Sequence, residues 1–164
     1  MFIELATRRV YLAGITANPT GEWATQQAPN IIETFVDRAE PIRFLIHDRD
    51  SKFTAAFDEV FRTDAIRTIH TPVRAPRAHA FIERWIDTVR RECLDRILII
   101  DRRHLERVLP AYIRHYNEHR PHRSLHQRPP IQEAPPGSET AVALDRLRRQ
   151  DVLGGLIHEY ESAA

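Results

Sequence analysis

Cysteine is almost absent from this 164-residue chain, and Cys93 has no second cysteine to pair with. A disulfide framework and a zinc site built from several cysteines are therefore excluded. No apolar run approaches the roughly 20 residues that a membrane-spanning helix needs. The N-terminus lacks the basic segment and apolar stretch of a secretory signal peptide. These absences predict a protein of the reduced cytoplasm, without a membrane partner.

The charge of the chain is low overall but unevenly distributed. Hydrophobic residues make up 42% and charged residues 29%, as in an ordinary globular domain, and the net charge is +1. Residues 74–128, however, carry 13 basic and 7 acidic side chains, a net charge of +6. A basic block of this kind predicts a polyanionic partner such as DNA, although a solvated helix surface would have the same composition.

Hydrophobic periodicity and turn residues predict an α/β chain with few strands. The predicted strands lie at 2–6, 10–15, 42–47 and 66–70, with a short apolar stretch at 153–157. The predicted helices lie at 22–38, 54–62, 79–96, 103–119 and 139–150. Two of these helices contain a proline, Pro29 and Pro110, and each proline should remove a backbone hydrogen bond and kink or weaken its helix.

Two carboxylates follow the pattern of a metal site. Asp48 comes directly after the strand 42–47, and Glu83 lies near the start of the helix predicted from His79, with 34 residues between the two. Carboxylates at a strand end and on a helix can converge on hard cations such as Mg²⁺, and two such ions support phosphodiester chemistry. Each also has a simpler explanation: Asp48 as a turn residue, and Glu83 as a first-turn carboxylate that the helix dipole favours.

Three segments, in this order, resemble the catalytic core of insertion-sequence transposases and retroviral-type integrases, the DDE superfamily. They are HDRDSKFT at 47–54, ERW and VRREC at 83–93, and YNEHRPHRSL at 116–125. The spacing from Asp48 to Glu83 is one residue shorter than is usual in the family. The resemblance covers roughly residues 2–130.

The resemblance implies a ribonuclease-H-like fold, in which helices flank a five-stranded mixed sheet. The integrase core would occupy residues 1–130, and residues 131–164 would form a linker, a helix and a short strand.

The implied activity is DNA integration or transposition, by metal-dependent cleavage and strand transfer. Asp48 and Glu83 match the second aspartate and the glutamate of a triad that binds two Mg²⁺ or Mn²⁺ ions. The implied partners are mobile-element ends and target DNA, and a homo-oligomer is compatible with the family. The implied DNA contacts are Arg74, Arg77, Arg84, Arg90 and Arg91.

The sequence departs from the family pattern at several positions. It starts inside the expected hairpin, so we expect the first strand and its catalytic aspartate to be missing. Glu4 aligns with a position that is not a metal ligand. Asp87 replaces a lysine that often contacts DNA, and His79 stands where asparagine is common. We therefore predict that the chain as written does not catalyse strand transfer, which leaves its status as an enzyme open.

Two other interpretations remain. The chain could be a non-enzymatic, DNA-binding or assembly-inhibiting transposase fragment, which salt-dependent DNA binding without metal-dependent cleavage would favour. It could also be a metal nuclease of ribonuclease-H shape, such as a resolvase. The segment 116–125 argues against the nuclease, because it is typical of transposases. The sequence contains no recognisable helix-turn-helix that would indicate which element ends are bound.

Overall fold

The computed structural model describes residues 1–36, 38, 40–72, 76–131 and 147–162, except for the side chains of 76–79 and 162. Within these ranges the strands β1 to β6 are Phe2–Ile3, Val10–Tyr11, Phe44–His47, Arg67–His70, Leu147–Val152 and Ile157–Ser162. The helices α1 to α4 are Gly21–Glu33, Ala55–Thr63, Pro76–Glu92 and Arg102–Glu118. None of the helices in the described part of the chain is long and apolar enough to cross a membrane.

The described strands pair two by two and mix both orientations. The three sheets are β1–β2, β3–β4 and β5–β6. Strands β3 and β4 run parallel and are connected through α2, whereas β5 and β6 are antiparallel. The prediction of an α/β chain is thus confirmed. The described residues do not join these pairs into one five-stranded sheet, so the ribonuclease-H-like arrangement stays a prediction.

The chain divides into two compact units, and the first consists of 1–2 and 11–84. Its core contains residues from α1 and α2 and their flanking segments: Tyr11, Ala24, Ala28, Ile31, Phe57, Phe61 and Ile66. The hydroxyl of Thr54 caps α2 by accepting a hydrogen bond from the backbone N–H of Phe57. A Cβ atom at Gly21 would lie 2.8 Å from Cγ2 of Thr54, so a glycine is needed where α1 begins against α2.

The second unit consists of 3–10 and 85–164. The largest side chains buried in it are those of Trp85 and Tyr112. The Trp85 ring meets the ring of Tyr116 edge-on, with 6.3 Å between centroids. Aromatic side chains bury much apolar area, so these rings contribute strongly to the stability of the unit. The predicted boundary between the integrase core and the C-terminal segment, at 130/131, differs from this division into units and stays a prediction.

Several predicted boundaries shift in the structure. The helices α1 and α4 run through Pro29 and Pro110, whose side chains are both exposed. The helix expected from His79 already begins at Pro76, since proline is favoured in a first helical turn.

The prediction of a helix over 139–150 is wrong where it can be compared. Residues 147–150 belong to β5, and 139–146 lie outside the described residues. Pairing with β6 overrides the local helical preference. The turn between the two strands uses left-handed backbone at Gly154 and Gly155, with φ of 68° and 89°, which glycine adopts without strain.

Candidate functional site

Asp48 lies directly after β3, at the carboxyl end of a parallel strand, as the sequence predicts. Its Oδ1 accepts a hydrogen bond from the backbone N–H of Asp50 at 3.1 Å, and its side chain is half-buried. The simpler explanation of Asp48 as a turn residue therefore also holds. The turn uses one carboxylate oxygen, and no described residue hydrogen-bonds to Oδ2. That second oxygen is available to a cation.

Glu83 is exposed and is the eighth residue of α3. The first turn of α3 contains no acidic residue, so the explanation of Glu83 as a first-turn carboxylate is wrong. No other described residue forms a hydrogen bond or ion pair with its side chain. Glu83 and Asp48 belong to the same compact unit.

The donor atoms of Asp48 and Glu83 fit a hard divalent cation. Carboxylate oxygens are the ligands that Mg²⁺ and Mn²⁺ take in proteins, and Mg²⁺ usually keeps several waters. Among the residues that the structure describes, neither carboxylate belongs to a cluster of three or more metal-binding side chains. The two carboxylates alone should therefore hold an ion only weakly.

The basic residues expected to contact DNA are only partly described. Arg74 lies outside the described residues, as does the side chain of Arg77. Arg84, Arg90 and Arg91 are exposed on α3. Arg90 lies 3.9 Å from Asp95, and Nε of Arg91 donates to the backbone carbonyl of Asp87 at 3.3 Å. Exposed ion pairs typically contribute only about 0.2–1 kcal/mol to stability. A phosphate can therefore replace Asp95 as the partner of the Arg90 guanidinium.

The segment YNEHRPHRSL holds the second unit together. Arg120 forms a bidentate ion pair with Glu92, from Nε to Oε2 at 2.8 Å and from Nη2 to Oε1 at 2.6 Å. The hydroxyl of Tyr112 donates to the same Oε2 at 2.7 Å. Burial opposes ionisation of Glu92, but the hydrogen bonds from Arg120 and Tyr112 outweigh it and lower the pKa of Glu92 below its ordinary value of 4.5. Two of the resembling segments are thus joined by an ion pair.

Asn117, in the same segment, ties β2 to α4. Its Oδ1 accepts a hydrogen bond from the backbone N–H of Val10, and its Nδ2 donates to the carbonyl of Val10, both at 2.9 Å. The ring of His122 packs edge-on against that of Tyr116, 4.5 Å between centroids. Burial, aided by the positive charge of Arg120, lowers the pKa of His122 below 6.5. These contacts hold Asn117 and His122 within the fold of the second unit.

A second group of polar side chains gathers at the ends of β3 and β4. Nε2 of His47 lies 2.8 Å from Oδ1 of Asp58, and Nε2 of His70 lies 3.1 Å from Oδ2 of the same carboxylate. The three residues offer ligand atoms that all lie within 4.8 Å of one another, so they could hold a metal ion. We call His47, Asp58 and His70 the histidine cluster.

Sequence reasoning missed both the histidine cluster and the Glu92–Arg120 pair. A signal for the cluster was present, because His47 and His70 end two predicted strands and Asp58 lies in the helix between them. Parallel strands joined through a helix place their carboxyl ends at the same edge of a sheet. No comparable signal predicts the pairing of Glu92 with Arg120, which lie 28 residues apart.

The comparisons with known proteins match part of the chain. No curated protein matches it. Residues 64–130 match the family model described as "Integrase core domain", and this range contains Glu83 but not Asp48. It also contains the segments ERW, VRREC and YNEHRPHRSL that resemble the DDE superfamily. The match over residues 64–130 thus supports a catalytic core of the DDE integrase and transposase type.

Proposed function

We propose that this chain is an integrase-type core that binds mobile-element ends and target DNA and whose metal ligands are Asp48 and Glu83. The observation that carries the proposal is the integrase core match around Glu83, together with Asp48 at the carboxyl end of a parallel strand with one carboxylate oxygen available. In this proposal β3 and β4 belong to a ribonuclease-H-like mixed sheet, and the core occupies residues 1–130.

The two carboxylates would hold Mg²⁺ or Mn²⁺. When bound, such ions activate an attacking oxygen and stabilise a leaving one in phosphodiester cleavage and strand transfer. Asp48 and Glu83 act as ligands and not as nucleophiles, because water or a 3′-hydroxyl attacks. Arg84, Arg90 and Arg91 would bind the DNA backbone and fix its position without reading the bases. Arg74 and Arg77 are proposed for the same role.

Asp48 and Glu83 are the two carboxylates of residues 1–164 that match the triad. One anionic ligand fewer weakens metal binding, so we expect DNA binding by this polypeptide without strand transfer. Joining of labelled element-end DNA in Mg²⁺ or Mn²⁺ would contradict this expectation. A non-enzymatic DNA-binding or inhibitory fragment is the alternative, and it differs in one respect: Asp48 and Glu83 would then bind no metal.

Replacing Arg90 and Arg91 by glutamine should weaken DNA binding and make it less dependent on salt. Each lost phosphate contact reduces the slope of log K against log salt by about 0.9 for duplex DNA. The measurement is fluorescence anisotropy of a labelled duplex over a series of salt concentrations.

The matched control is Arg148→Gln, which removes an exposed arginine on β5. Its slope should equal that of the unmodified chain. If Arg148→Gln reduces the slope as much as the replacements of Arg90 and Arg91 do, DNA binding depends on the total charge of the chain rather than on α3.

A further inference from the structure

The histidine cluster combines two imidazoles with one carboxylate. We propose that His47, Asp58 and His70 bind a divalent transition-metal ion of the Zn²⁺ type. Imidazole nitrogen suits Zn²⁺ and its neighbours in the first transition row, whereas Mg²⁺ takes oxygen ligands. The site shares no ligand with the pair Asp48 and Glu83, so the proposal does not depend on the proposed function.

Strand register brings the two histidines together. His47 and His70 are the last residues of β3 and β4 and are register partners in this parallel pair. Register partners on neighbouring strands project from the same face of a sheet, and here the ring centroids lie 4.5 Å apart. Asp58 lies in α2, the helix that connects the two strands. All three ligands therefore come from regular secondary structure, which holds a site more precisely than a loop does.

Hydrogen bonding determines which nitrogen of His47 faces Asp58. Nδ1 lies 2.7 Å from the backbone carbonyl oxygen of Asp48. A carbonyl only accepts, so Nδ1 carries a proton and donates it. In the neutral ring Nε2 is then an acceptor, yet it lies 2.8 Å from Oδ1 of Asp58, which is also an acceptor when ionised. Two acceptors this close need a proton or a metal ion between them.

Two observations favour a metal ion in this position. A bond from Nδ1–H to a backbone carbonyl is the interaction that orients metal-binding histidines, because it leaves Nε2 free for the metal. In addition, a second imidazole nitrogen, Nε2 of His70, lies 3.1 Å from the other oxygen of Asp58. A metal ion placed here can take a ligand atom from all three residues at once.

The spacing of the ligand atoms fits a small four-coordinate ion. Zinc–nitrogen bonds of about 2.0–2.1 Å in a tetrahedron place neighbouring ligand atoms about 3.3 Å apart. The two pairs at 2.8 Å and 3.1 Å, which use different oxygens of Asp58, need to move apart by only a few tenths of an ångström. The ligand atoms of all three residues lie within 4.8 Å of one another and would draw together to that spacing around the ion. The exposed fraction rises from 5% for the His47 side chain to 22% for Asp58 and 40% for His70, so the His70 side is open to water as a fourth ligand.

The test is titration of the full chain with Co²⁺, followed by competition with Zn²⁺. Tetrahedral Co²⁺ absorbs visible light, so the spectrum reports coordination directly. We expect one equivalent to bind, with Zn²⁺ displacing it and excess Mg²⁺ leaving it in place. His70→Gln and Asp58→Asn each remove a direct ligand, so each should weaken binding by more than the roughly 10–100-fold that loss of an outer-shell partner costs.

The matched control is His158→Gln, which removes a histidine that also lies 2.7 Å from an aspartate, Asp151, but without a second histidine in a described cluster. Its affinity for Co²⁺ should be unchanged.

Circular dichroism establishes that each variant is folded, and His70 is exposed enough to be replaced without disturbing a core. No tetrahedral Co²⁺ spectrum in the unmodified chain, or equal affinity in His70→Gln and Asp58→Asn, would overturn the proposal. His115 pairs with Glu159 elsewhere in the chain. Loss of the Co²⁺ spectrum in His115→Gln, and in none of the other variants, would also overturn the proposal.

Discussion

Replacing Asn117 by alanine should lower the free energy of unfolding by about 2–5 kcal/mol, because a buried backbone donor or acceptor left without a partner costs about 1–3 kcal/mol. Asn117 satisfies both groups of Val10, the N–H and the carbonyl, and its side chain and Val10 are both buried. Small domains have only about 5–15 kcal/mol of stability, so this single change removes a large share of it.

The measurement is urea denaturation of a Trp23→Phe background, in which Trp85 is the remaining tryptophan and reports on the second unit. Glu118→Ala is the matched control, since it truncates the exposed neighbour on α4 and should change stability by less than about 0.5 kcal/mol. A loss from Asn117→Ala no larger than that of the control would show that the Val10 hydrogen bonds do not stabilise the fold.

Arg120→Met is the second change with a large expected effect. Among the described residues, it leaves the hydroxyl of Tyr112 as the remaining hydrogen-bond partner of the half-buried carboxylate of Glu92. Hydrogen bonds to charged groups contribute about 1.5–3 kcal/mol each, and we expect a loss of about 2–3 kcal/mol because the 37% exposure of the Glu92 side chain lets water compensate in part.

The pH dependence of Arg120→Met should also change. In the unmodified chain the pKa of Glu92 is lowered, so its contribution to stability is complete above pH 4.5 and is lost as the pH falls through the lower folded-state pKa. Without Arg120, burial is opposed by fewer favourable interactions, so the pKa of Glu92 is lowered less and the stability lost on acidification should be smaller than in the unmodified chain. Urea denaturation between neutral and acid pH measures both effects.

The control for the ion pair is Arg123→Met, an exposed arginine in the same segment. A double-mutant cycle with Glu92→Gln, which keeps an acceptor for Tyr112, isolates the Arg120–Glu92 interaction. A coupling energy close to zero would mean that the two side chains stabilise the unit independently, contrary to our account.

The strands and helices of the first unit were largely predictable because their signals are local. The apolar run at 42–47 predicts β3, and Thr54 ahead of an apolar periodic segment predicts the start of α2. Asp48 could be located for the same reason, since it follows that strand directly. The helix predicted over 139–150 fails where it is described because β5 depends on pairing with β6, which no local pattern in 147–152 reveals.

The parts of the candidate site that were not predicted depend on tertiary contacts. The pairing of Glu92 with Arg120 joins the end of α3 to the residues after α4. The histidine cluster depends on the register that places His47 opposite His70, and a shift of one residue would put the two rings on opposite faces. Glu83 was correctly placed on a helix, but its position within that helix depended on where α3 starts.

The central claim is that Asp48 and Glu83 bind the same divalent ion, and Fe²⁺-mediated backbone cleavage tests it most directly. The experiment uses a His70→Gln background, which removes the proposed nitrogen-ligand site. We predict cuts next to both Asp48 and Glu83 that excess Mg²⁺ suppresses. Asp48→Asn should abolish both cuts, whereas Asp50→Asn, whose carboxylate pairs with Lys52, should preserve them. Cuts at one position only, or a pattern that Asp48→Asn leaves unchanged, would contradict the assignment of these carboxylates to a shared metal site.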